Sequence, residues 1–371
     1  MSFKDEFIKD SLNDARVLVI YHREDNDGAC SAGIIDAFLR KFANPSEMLV
    51  VRMLGVNYAD LSRYWTEFDE ANRSTGIPEK MPHMMKWKNS FDAVFMVDIS
   101  FNEPAAMCVL YEWFGDMFIW CDHHKPIIEL SNDFSFGKAN GIRRTDQSAL
   151  LNTWDFMCEM FGIPDIKASD EMIKLSDYDS WAWTRKPEYD NEQARESLFD
   201  LNVGITHKSN LNPKWFSDWV GAWLTSWLKS WGICGNEAAA VHFNTALHAQ
   251  EFGHQVRELD KKRIDRAVRS NGDTTWHLRN GEKVCVMFTT EKMNSQQFEA
   301  LEDKTVRHGS VIKYDAKNKK WTASLYNFDN EDEFECGEYL KQGYNGGGHR
   351  GAAGCTLTDA QVSGMIMSRQ L

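Results

Sequence analysis

The stretch Val17-Leu-Val-Ile-Tyr-His-Arg-Glu-Asp-Asn-Asp-Gly28 decides how the first half of this sequence folds. Its opening run, Val17–Tyr21, is apolar and rich in β-branched residues, which predicts a buried strand. A turn rich in carboxylates follows, and the segment Ala29–Phe42 has the apolar spacing of a helix. The order strand, acidic turn, helix is the opening of a unit that builds a parallel sheet.

The same alternation continues to about residue 190. Further strands are predicted at Met48–Val51, Ala93–Val97 and Met117–Trp120, and a helix is predicted at Pro104–Phe114. Strands that alternate with helices form a sheet that helices cover on both faces. The sequence therefore predicts an α/β fold with a doubly wound, mostly parallel sheet in a domain formed by residues 1–190.

Two further segments follow this domain. Residues 191–270 carry helical patterns and few strand signals, so we interpret them as a helical linker region that ends in a long helix. Strands are then predicted at Lys283–Phe288, Ser310–Tyr314 and Trp321–Tyr326, with a helix at Ser295–Leu301. Residues 271–371 are expected to form a smaller α/β domain, with a cleft between it and the first domain.

Five tryptophans recur at every fourth position of the linker region: Trp215, Trp219, Trp223, Trp227 and Trp231. Asn212-Pro213, just before them, supplies a helix cap and a first-turn proline. A helix turns by about 100° per residue, so each tryptophan of this stripe points in a different direction from the previous one. The stripe therefore forms a large aromatic surface on the helix, and such a surface is usually buried. Burial between domains or in a dimer is the favoured interpretation, and a stacking platform for nucleobases is the alternative.

The composition excludes several classes of protein. With 371 residues, 43% apolar and 12% aromatic, the chain is expected to be globular with more than one domain. Its net charge of −13 disfavours a protein that coats long nucleic acids, so any phosphate site must be local. Eight scattered cysteines without a C-x-x-C pair, and no apolar leader or membrane-length apolar run, are typical of a reduced, cytoplasmic protein.

Carboxylates and imidazoles gather where the predicted strands end, which is where ligands bind in an open α/β sheet. These residues are His22, Asp25, Asp27, Asp98 and the triplet Asp122-His123-His124, together with Asp177 and Asp179 after a helix predicted at 170–176. Oxygen and imidazole ligands without thiolate suit Mn²⁺, and a pair of ions about 3.5–4 Å apart would use this many ligands. A single aspartate at a strand end is more often a helix cap, but four such clusters are hard to explain as caps.

A glycine-rich run near the C-terminus, Gly343-Tyr-Asn-Gly-Gly-Gly-His-Arg-Gly-Ala-Ala-Gly354, is the second candidate site. Backbone amides without side chains can converge on an anion, and His349 and Arg350 would add charge-assisted donors. The candidate substrate-binding residues are Gly346, Gly347, Gly348, His349 and Arg350. An ordinary glycine turn without a ligand is the alternative.

In this order the motifs resemble those of the DHH phosphoesterase superfamily with its DHH-associated C-terminal domain. The resemblance rests on Asp25-x-Asp27-Gly28, the isolated Asp98, the triplet Asp122-His123-His124, an aspartate before Trp181, and the Gly-Gly-Gly-His and Ala-Ala-Gly runs. It covers roughly residues 15–185 and 280–358. The resemblance implies a catalytic first domain and a substrate-binding last domain.

The resemblance also implies a division of roles. One divalent ion, manganese or alternatively magnesium or cobalt, would be held by His22, Asp25 and Asp98, and a second by Asp27, Asp98, His123 and Asp179. Asp122 would orient the adjacent imidazoles, and His124 would contact the scissile phosphate or protonate the leaving oxygen. Water activated by the two ions would attack the phosphorus in line. Asp177 competes with Asp179 for the fourth motif, and Asp179 is preferred because Asp-Ser-Trp continues that motif.

A phosphodiesterase or exonuclease is therefore expected, and the acidic charge favours a short substrate. The first hypothesis is a manganese-dependent hydrolase that trims short single-stranded RNA or DNA from an end, similar to bacterial nanoRNases. A cyclic or linear dinucleotide phosphodiesterase in signalling is the alternative within the same chemistry. A nucleotide-binding protein without turnover is the alternative of another class. No membrane partner is expected, and a homodimer is left open.

Overall fold

The computed structural model describes residues 15–42, 49–73, 83–163, 166–230, 237–271, 275–289, 298, 305–316, 319–328, 334–348 and 350–371. Backbone contacts divide the chain into two compact units, Met1–His254 and Gln255–Leu371. This division falls inside the predicted linker region. The boundaries 1–190, 191–270 and 271–371, and the cleft, stay predictions.

The first unit alternates strands and helices along the chain. Its elements are β1 (Arg16–His22), α1 (Asn26–Phe42), β2 (Val50–Val56), α2 (Tyr58–Arg73), α3 (His83–Ser90), β3 (Ala93–Val97), α4 (Pro104–Phe114), β4 (Phe118–Cys121), α5 (Lys125–Ser131), α6 (Ala149–Met160), α7 (Asp170–Asp179), α8 (Glu192–Ser209) and α9 (Pro213–Ser230). A long helix, α10 (Glu237–Asn271), continues from it into the second unit. The strand predicted at Met48–Val51 overlaps β2 only at Val50 and Val51, because this strand is partly exposed and lacks a continuous apolar run.

The four strands form one parallel sheet in the order β2-β1-β3-β4. Alternate residues of β1 face opposite cores, with Val17 and Val19 on one side and Leu18 and Ile20 on the other. Helices α1 and α6 to α9 cover the first face, and α2 to α5 cover the second. The predicted doubly wound α/β sheet is confirmed.

The order of the strands creates a crevice at one edge of this sheet. The chain leaves β1 for β2 on one side and then returns to place β3 on the other side of β1. At such a switch point the loops after the two strands diverge, and ligands bind between them. The turn after β1 and the residue after β3 carry the predicted acidic motifs, so the fold brings them to one place.

The tryptophan-rich helix α9 packs on α1 within the first unit. Phe216, Trp219 and Val220 are buried in the same core as α1, and Trp215, Trp223 and Trp227 pack partly buried against it. Among the described residues of this stripe, Trp219 is buried and the other tryptophans are partly buried in the core of their own unit, which agrees with the burial interpretation. Trp231 lies outside the described residues.

The second unit contains a mixed sheet with helices. Its elements are β5 (Thr275–His277), β6 (Lys283–Phe288), β7 (His308–Asp315), β8 (Lys320–Asn327), α11 (Cys336–Tyr344), β9 (Gly347–Gly348), β10 (Ala352–Leu357) and α12 (Asp359–Ser368). The strand order is β5-β6-β7-β8-β10-β9, and only β6 and β7 run parallel among these described strands. The predicted smaller α/β domain is confirmed. The helix predicted at Ser295–Leu301 falls, apart from residue 298, outside the described residues.

Two further features concern the whole described chain. None of its described helices combines the length and the apolar character that a membrane span requires. The cysteines in the described residues are all free thiols.

Candidate active site

The turn between β1 and α1 places two carboxylates and an imidazole together. Asp25 Oδ1 accepts a hydrogen bond of 3.0 Å from the amide of Gly28, so this side chain caps α1, while its Oδ2 lies 2.7 Å from His22 Nδ1. A Cβ at Gly28 would lie 2.1 Å from the carbonyl oxygen of His22. Only glycine permits this close approach, which explains the D-x-D-G pattern of the turn.

Asp27 has two roles in the structure. Its Oδ1 accepts hydrogen bonds from the Ser148 hydroxyl (2.6 Å) and the Leu150 amide (2.8 Å), and its Oδ2 accepts one from the Ala149 amide (2.9 Å). The carboxylate therefore caps α6, where the helix dipole favours negative charge. Oδ2 also lies 3.7 Å from His123 Nε2. The helix-cap interpretation is thus correct for Asp27, and it does not exclude a ligand role.

Asp98 lies between the two sides of the site. It follows β3 directly and has a φ of 56°, a left-handed conformation that is uncommon outside glycine and that aspartate tolerates better than most residues. Its Oδ2 lies 3.6 Å from His22 Nδ1, and its Oδ1 lies 3.4 Å from His123 Nε2. One carboxylate therefore reaches imidazoles that come from the ends of β1 and β4.

Asp122 orients the residues that follow it. Its Oδ1 accepts hydrogen bonds from the amides of His123 (2.7 Å) and His124 (3.2 Å) and lies 2.6 Å from His124 Nδ1, while its Oδ2 accepts one from Trp120 Nε1 (3.1 Å). Burial would raise the pKa of this fully buried carboxyl, but the charge and hydrogen bond of His124 outweigh it and lower the pKa to about 2. Asp122 is thus a charged anchor for the His124 ring.

The structure distinguishes Asp179 from Asp177. Asp179 Oδ2 lies 3.3 Å from His123 Nε2 and, although buried, has no hydrogen-bond partner among the described residues. Asp177 instead accepts hydrogen bonds from Lys186 Nζ (2.7 Å) and the Tyr189 hydroxyl (2.8 Å). Helix α7 extends to Asp179 rather than ending at residue 176, and two residues along a helix differ by about 200° in direction. Only Asp179 therefore joins the cluster.

The predicted ligands, together with His124, form three overlapping groups, and within each group the ligand atoms lie within 4.8 Å of one another. The groups are His22, Asp25 and Asp98; Asp27, His123 and Asp179; and Asp98, His123 and His124. The first two correspond to the two ligand sets that the resemblance implies, apart from Asp98 in the second. Asp98 and His123 each belong to two groups, so the sets are adjacent.

The electrostatics of this cluster favour a cation. Burial is the largest cause of the raised pKa of both Asp98 and Asp179, and the neighbouring charges of Asp27 and Asp25 raise both further. Burial lowers the pKa of His22, but the charge and hydrogen bond of Asp25 raise it to about 11. Buried carboxylates at this density are costly without positive charge. These residues offer oxygen and imidazole ligand atoms, and Asp179 Oδ2 has no hydrogen-bond partner among the described residues, so the cluster fits a pair of divalent ions.

Sequence reasoning missed several residues that support the cluster. Asn26 is buried between the two aspartates of the turn, and its Nδ2 lies within 2.8 Å of Asn202 Oδ1 and Thr206 Oγ1 of α8. Ser148 bonds Asp27, and its position before the apolar start of α6 was a signal for a cap. Tyr58 lies beside both His22 and His124, with ring centroids 5.9 and 6.3 Å away. No local pattern could have shown this contact.

The glycine run of the second unit is partly a structural requirement. Gly347 and Gly348 form β9 and pair with Gly354 and Ala353 of β10. A Cβ at Gly348 would lie 2.5 Å from the carbonyl oxygen of Ala352, whereas a Cβ at Gly347 would meet nothing within 4 Å. Gly346 also approaches its neighbours closely, Arg350 is exposed, and His349 lies outside the described residues. Close packing therefore explains the glycines at positions 346 and 348, but it does not explain the glycine at position 347.

No protein-family model and no curated protein matches the chain. Several solved structures do match it. RecJ of Thermus thermophilus in complex with Mn²⁺ is 12% identical with a TM-score of 0.50, and the match covers 99% of this chain and 53% of that one. An exopolyphosphatase-related protein of Bacteroides fragilis is 13% identical (TM-score 0.45, covering 99% and 95%). The pGpG-specific phosphodiesterase PggH of Vibrio cholerae is 14% identical (TM-score 0.43, covering 95% and 96%).

These likenesses concern the fold. The chain shares its fold with the RecJ structure that it resembles, and the predicted α/β sheet with a second, smaller α/β unit is confirmed. It spans about half the length of the RecJ chain that it resembles.

Proposed function

We propose that this chain is a phosphodiesterase that depends on divalent metal ions and hydrolyses short oligonucleotides from an end, as a nanoRNA-type exonuclease. One observation carries the proposal: the ligand atoms of six residues from the ends of β1, β3, β4 and α7 come together, and Asp98 reaches the imidazoles on both sides. The fold alone does not define an activity. The geometry of the site therefore supports the proposed activity.

The residues present determine how two ions would be held. His22, Asp25 and Asp98 would hold one ion, and Asp27, His123 and Asp179 would hold the other, with Asp98 between them. When bound, such a pair activates water and neutralises charge on the attacking and leaving oxygens of a phosphoryl group. Manganese is our proposal for both positions, since mixed carboxylate and imidazole ligands suit it.

His124 and Asp122 supply the proton chemistry. Because His124 Nδ1 faces Asp122 Oδ1 at 2.6 Å, Nε2 is the nitrogen that can hand a proton to the leaving oxygen. The pKa of Asp122, lowered to about 2, keeps this carboxylate charged, so it stabilises the protonated ring before the transfer. Its hydrogen bonds to two backbone amides fix its direction. The pair therefore acts as an oriented general acid.

The net charge of the chain favours a short substrate. A net charge of −13 does not favour a long track of phosphates along the surface, so binding must depend on a few local contacts. Gly346, Gly347, Gly348, His349 and Arg350 are our candidates for one of these contacts, through backbone amides and a cationic side chain. A substrate with few phosphates satisfies such contacts.

The direct test is incubation of the purified protein with Mn²⁺ and end-labelled RNA and DNA, from dinucleotides to long oligomers, with cyclic dinucleotides alongside. We expect a ladder of oligomers that shorten by one nucleotide at a time, with release of mononucleotides. The shortest oligomers should be cleaved fastest. Cleavage of dinucleotides alone, cyclic or linear, would support the signalling alternative instead. Binding of nucleotides without any product at all Mn²⁺ concentrations would show that the chain is a binding protein.

A further inference from the structure

The turn between β2 and α2 holds Tyr58 in a fixed place. Asn57 and Asp60 bond each other's backbone amides, at 3.3 and 3.0 Å, as in a capping box. Arg23 pairs with Asp60 at 3.1 Å, and its amide bonds the carbonyl of Val56 at 3.1 Å, which ties this turn to the turn after β1. Tyr58, the first residue of α2, is therefore presented by a rigid element.

The ring of Tyr58 spans the two sides of the candidate site. Its centroid lies 5.9 Å from that of His22 and 6.3 Å from that of His124, with an interplanar angle of 85° to the second ring. His22 belongs to one candidate ligand group and His124 to another, and both groups share Asp98. The ring thus borders the place where a phosphate bound to both groups would lie.

The hydroxyl of Tyr58 has no hydrogen-bond partner among the residues that the structure describes. A phenol is protonated at neutral pH because its ordinary pKa is about 10. The group is therefore a donor beside the cluster and not a base.

We propose that the Tyr58 hydroxyl is a further catalytic group, which donates a hydrogen bond to a non-bridging oxygen of the phosphate that is cleaved. A lysine or arginine here would pair with Asp25, Asp98 or Asp122 and compete with the metal ions. A neutral donor serves the phosphate without that competition. Negative charge on the phosphoryl oxygens must be met by oriented donors in the transition state, and Tyr58 is preoriented for this.

This inference rests on the proposed function. The experiments below distinguish a failure of the inference from a failure of the proposed function. In Tyr58→Phe the ring contacts remain and only the hydroxyl is lost, so we expect turnover of a dinucleotide to fall about 10- to 100-fold. Mn²⁺ affinity and thermal stability should not change. Tyr64→Phe is the matched control, because Tyr64 lies on the same helix and its ring contacts His83 and Trp87, away from the cluster. This control should keep full turnover.

A second measurement does not need turnover. We expect Tyr58→Phe to weaken the binding of a dinucleotide with a non-hydrolysable methylenephosphonate linkage to the Mn²⁺-loaded protein, about 10-fold. If the native chain hydrolyses nothing, the proposed function is wrong, and this binding measurement still decides the role of Tyr58. Equal turnover and equal analogue affinity in Tyr58→Phe and the native chain would overturn the inference.

Discussion

Single side chains in the candidate site carry a structural and a chemical role together. Asp25 caps α1 and faces His22, while Asp27 caps α6 and faces His123. Both carboxylates are thereby held by backbone amides before any ligand arrives. Fixed carboxylates lose little conformational entropy on binding a cation, which favours a preorganised site.

The matched pair Asp179→Asn and Asp177→Asn tests which aspartate serves the site. Asp179→Asn removes a carboxylate whose Oδ2 lies beside His123 and has no hydrogen-bond partner among the described residues, so we expect hydrolysis to fall by at least about 100-fold with an intact fold. Asp177→Asn breaks an ion pair with the partly exposed Lys186, so it should cost about 1 kcal/mol and leave hydrolysis unchanged. Measurements of the hydrolysis rate and of the melting temperature of both variants test these two expectations. The reverse pattern would show that Asp177 serves the site.

At the scale of helices and strands, local sequence patterns predicted the bounds of those elements that depend on neighbouring residues in the chain. Strand β3 and helix α4 have the predicted bounds, because a continuous apolar run and a first-turn proline mark them. The end of α7 was predicted short, because Ser176-Asp-Tyr-Asp179 looks polar and only packing shows that it stays helical. The contact of Asp27 with α6 joins residues 121 apart in sequence, and no periodicity reports it.

Ser148→Ala tests the contact between Asp27 and α6. The variant removes a donor to Asp27 Oδ1, so we expect about 1–2 kcal/mol lower stability and about 10-fold weaker Mn²⁺ binding. Ser131→Ala is the control, because that buried hydroxyl bonds the Ile128 carbonyl of its own helix at 2.7 Å. It should lower stability with unchanged Mn²⁺ affinity. Equal Mn²⁺ affinities in the two variants would contradict the role of Ser148.

The short strand β9 separates the two interpretations of the glycine run. A methyl group at Gly347 meets nothing, so Gly347→Ala should keep the melting temperature and raise the KM for a dinucleotide if the exposed backbone binds phosphate. Gly348→Ala would clash with Ala352 and should lower the melting temperature. Unchanged KM in Gly347→Ala would favour an ordinary glycine turn.

At the scale of the whole molecule, the buried acidic cluster couples metal binding to pH. The pKa of His22 is raised to about 11, mainly by Asp25 against the effect of burial, so the ring holds a proton at neutral pH when no metal is bound. Burial raises the pKa values of Asp98 and Asp179 as well. A divalent ion needs these groups deprotonated, so binding must release protons.

We therefore expect Mn²⁺ to bind more tightly, and to raise the melting temperature more, at about pH 8 than at about pH 6. Because the pKa of His22 is raised to about 11, this ring holds a proton over this range, and the proton is displaced more easily as pH rises. Calorimetry in two buffers of different ionisation enthalpy counts the released protons. Binding that is independent of pH and releases no protons would contradict the assigned ligands.

The number and coupling of bound ions test the central claim most directly, through electron paramagnetic resonance of the Mn²⁺-loaded protein. We expect two spin-coupled ions per chain. In Asp98→Asn, a substitution that suits the left-handed backbone at this position, we expect the coupling and hydrolysis to be lost together. Asp92→Asn is the control at the opposite end of β3, where Asp92 pairs with Arg16 on the surface, and it should keep both. A single uncoupled ion in the native chain, or coupling that survives in Asp98→Asn, would contradict the account.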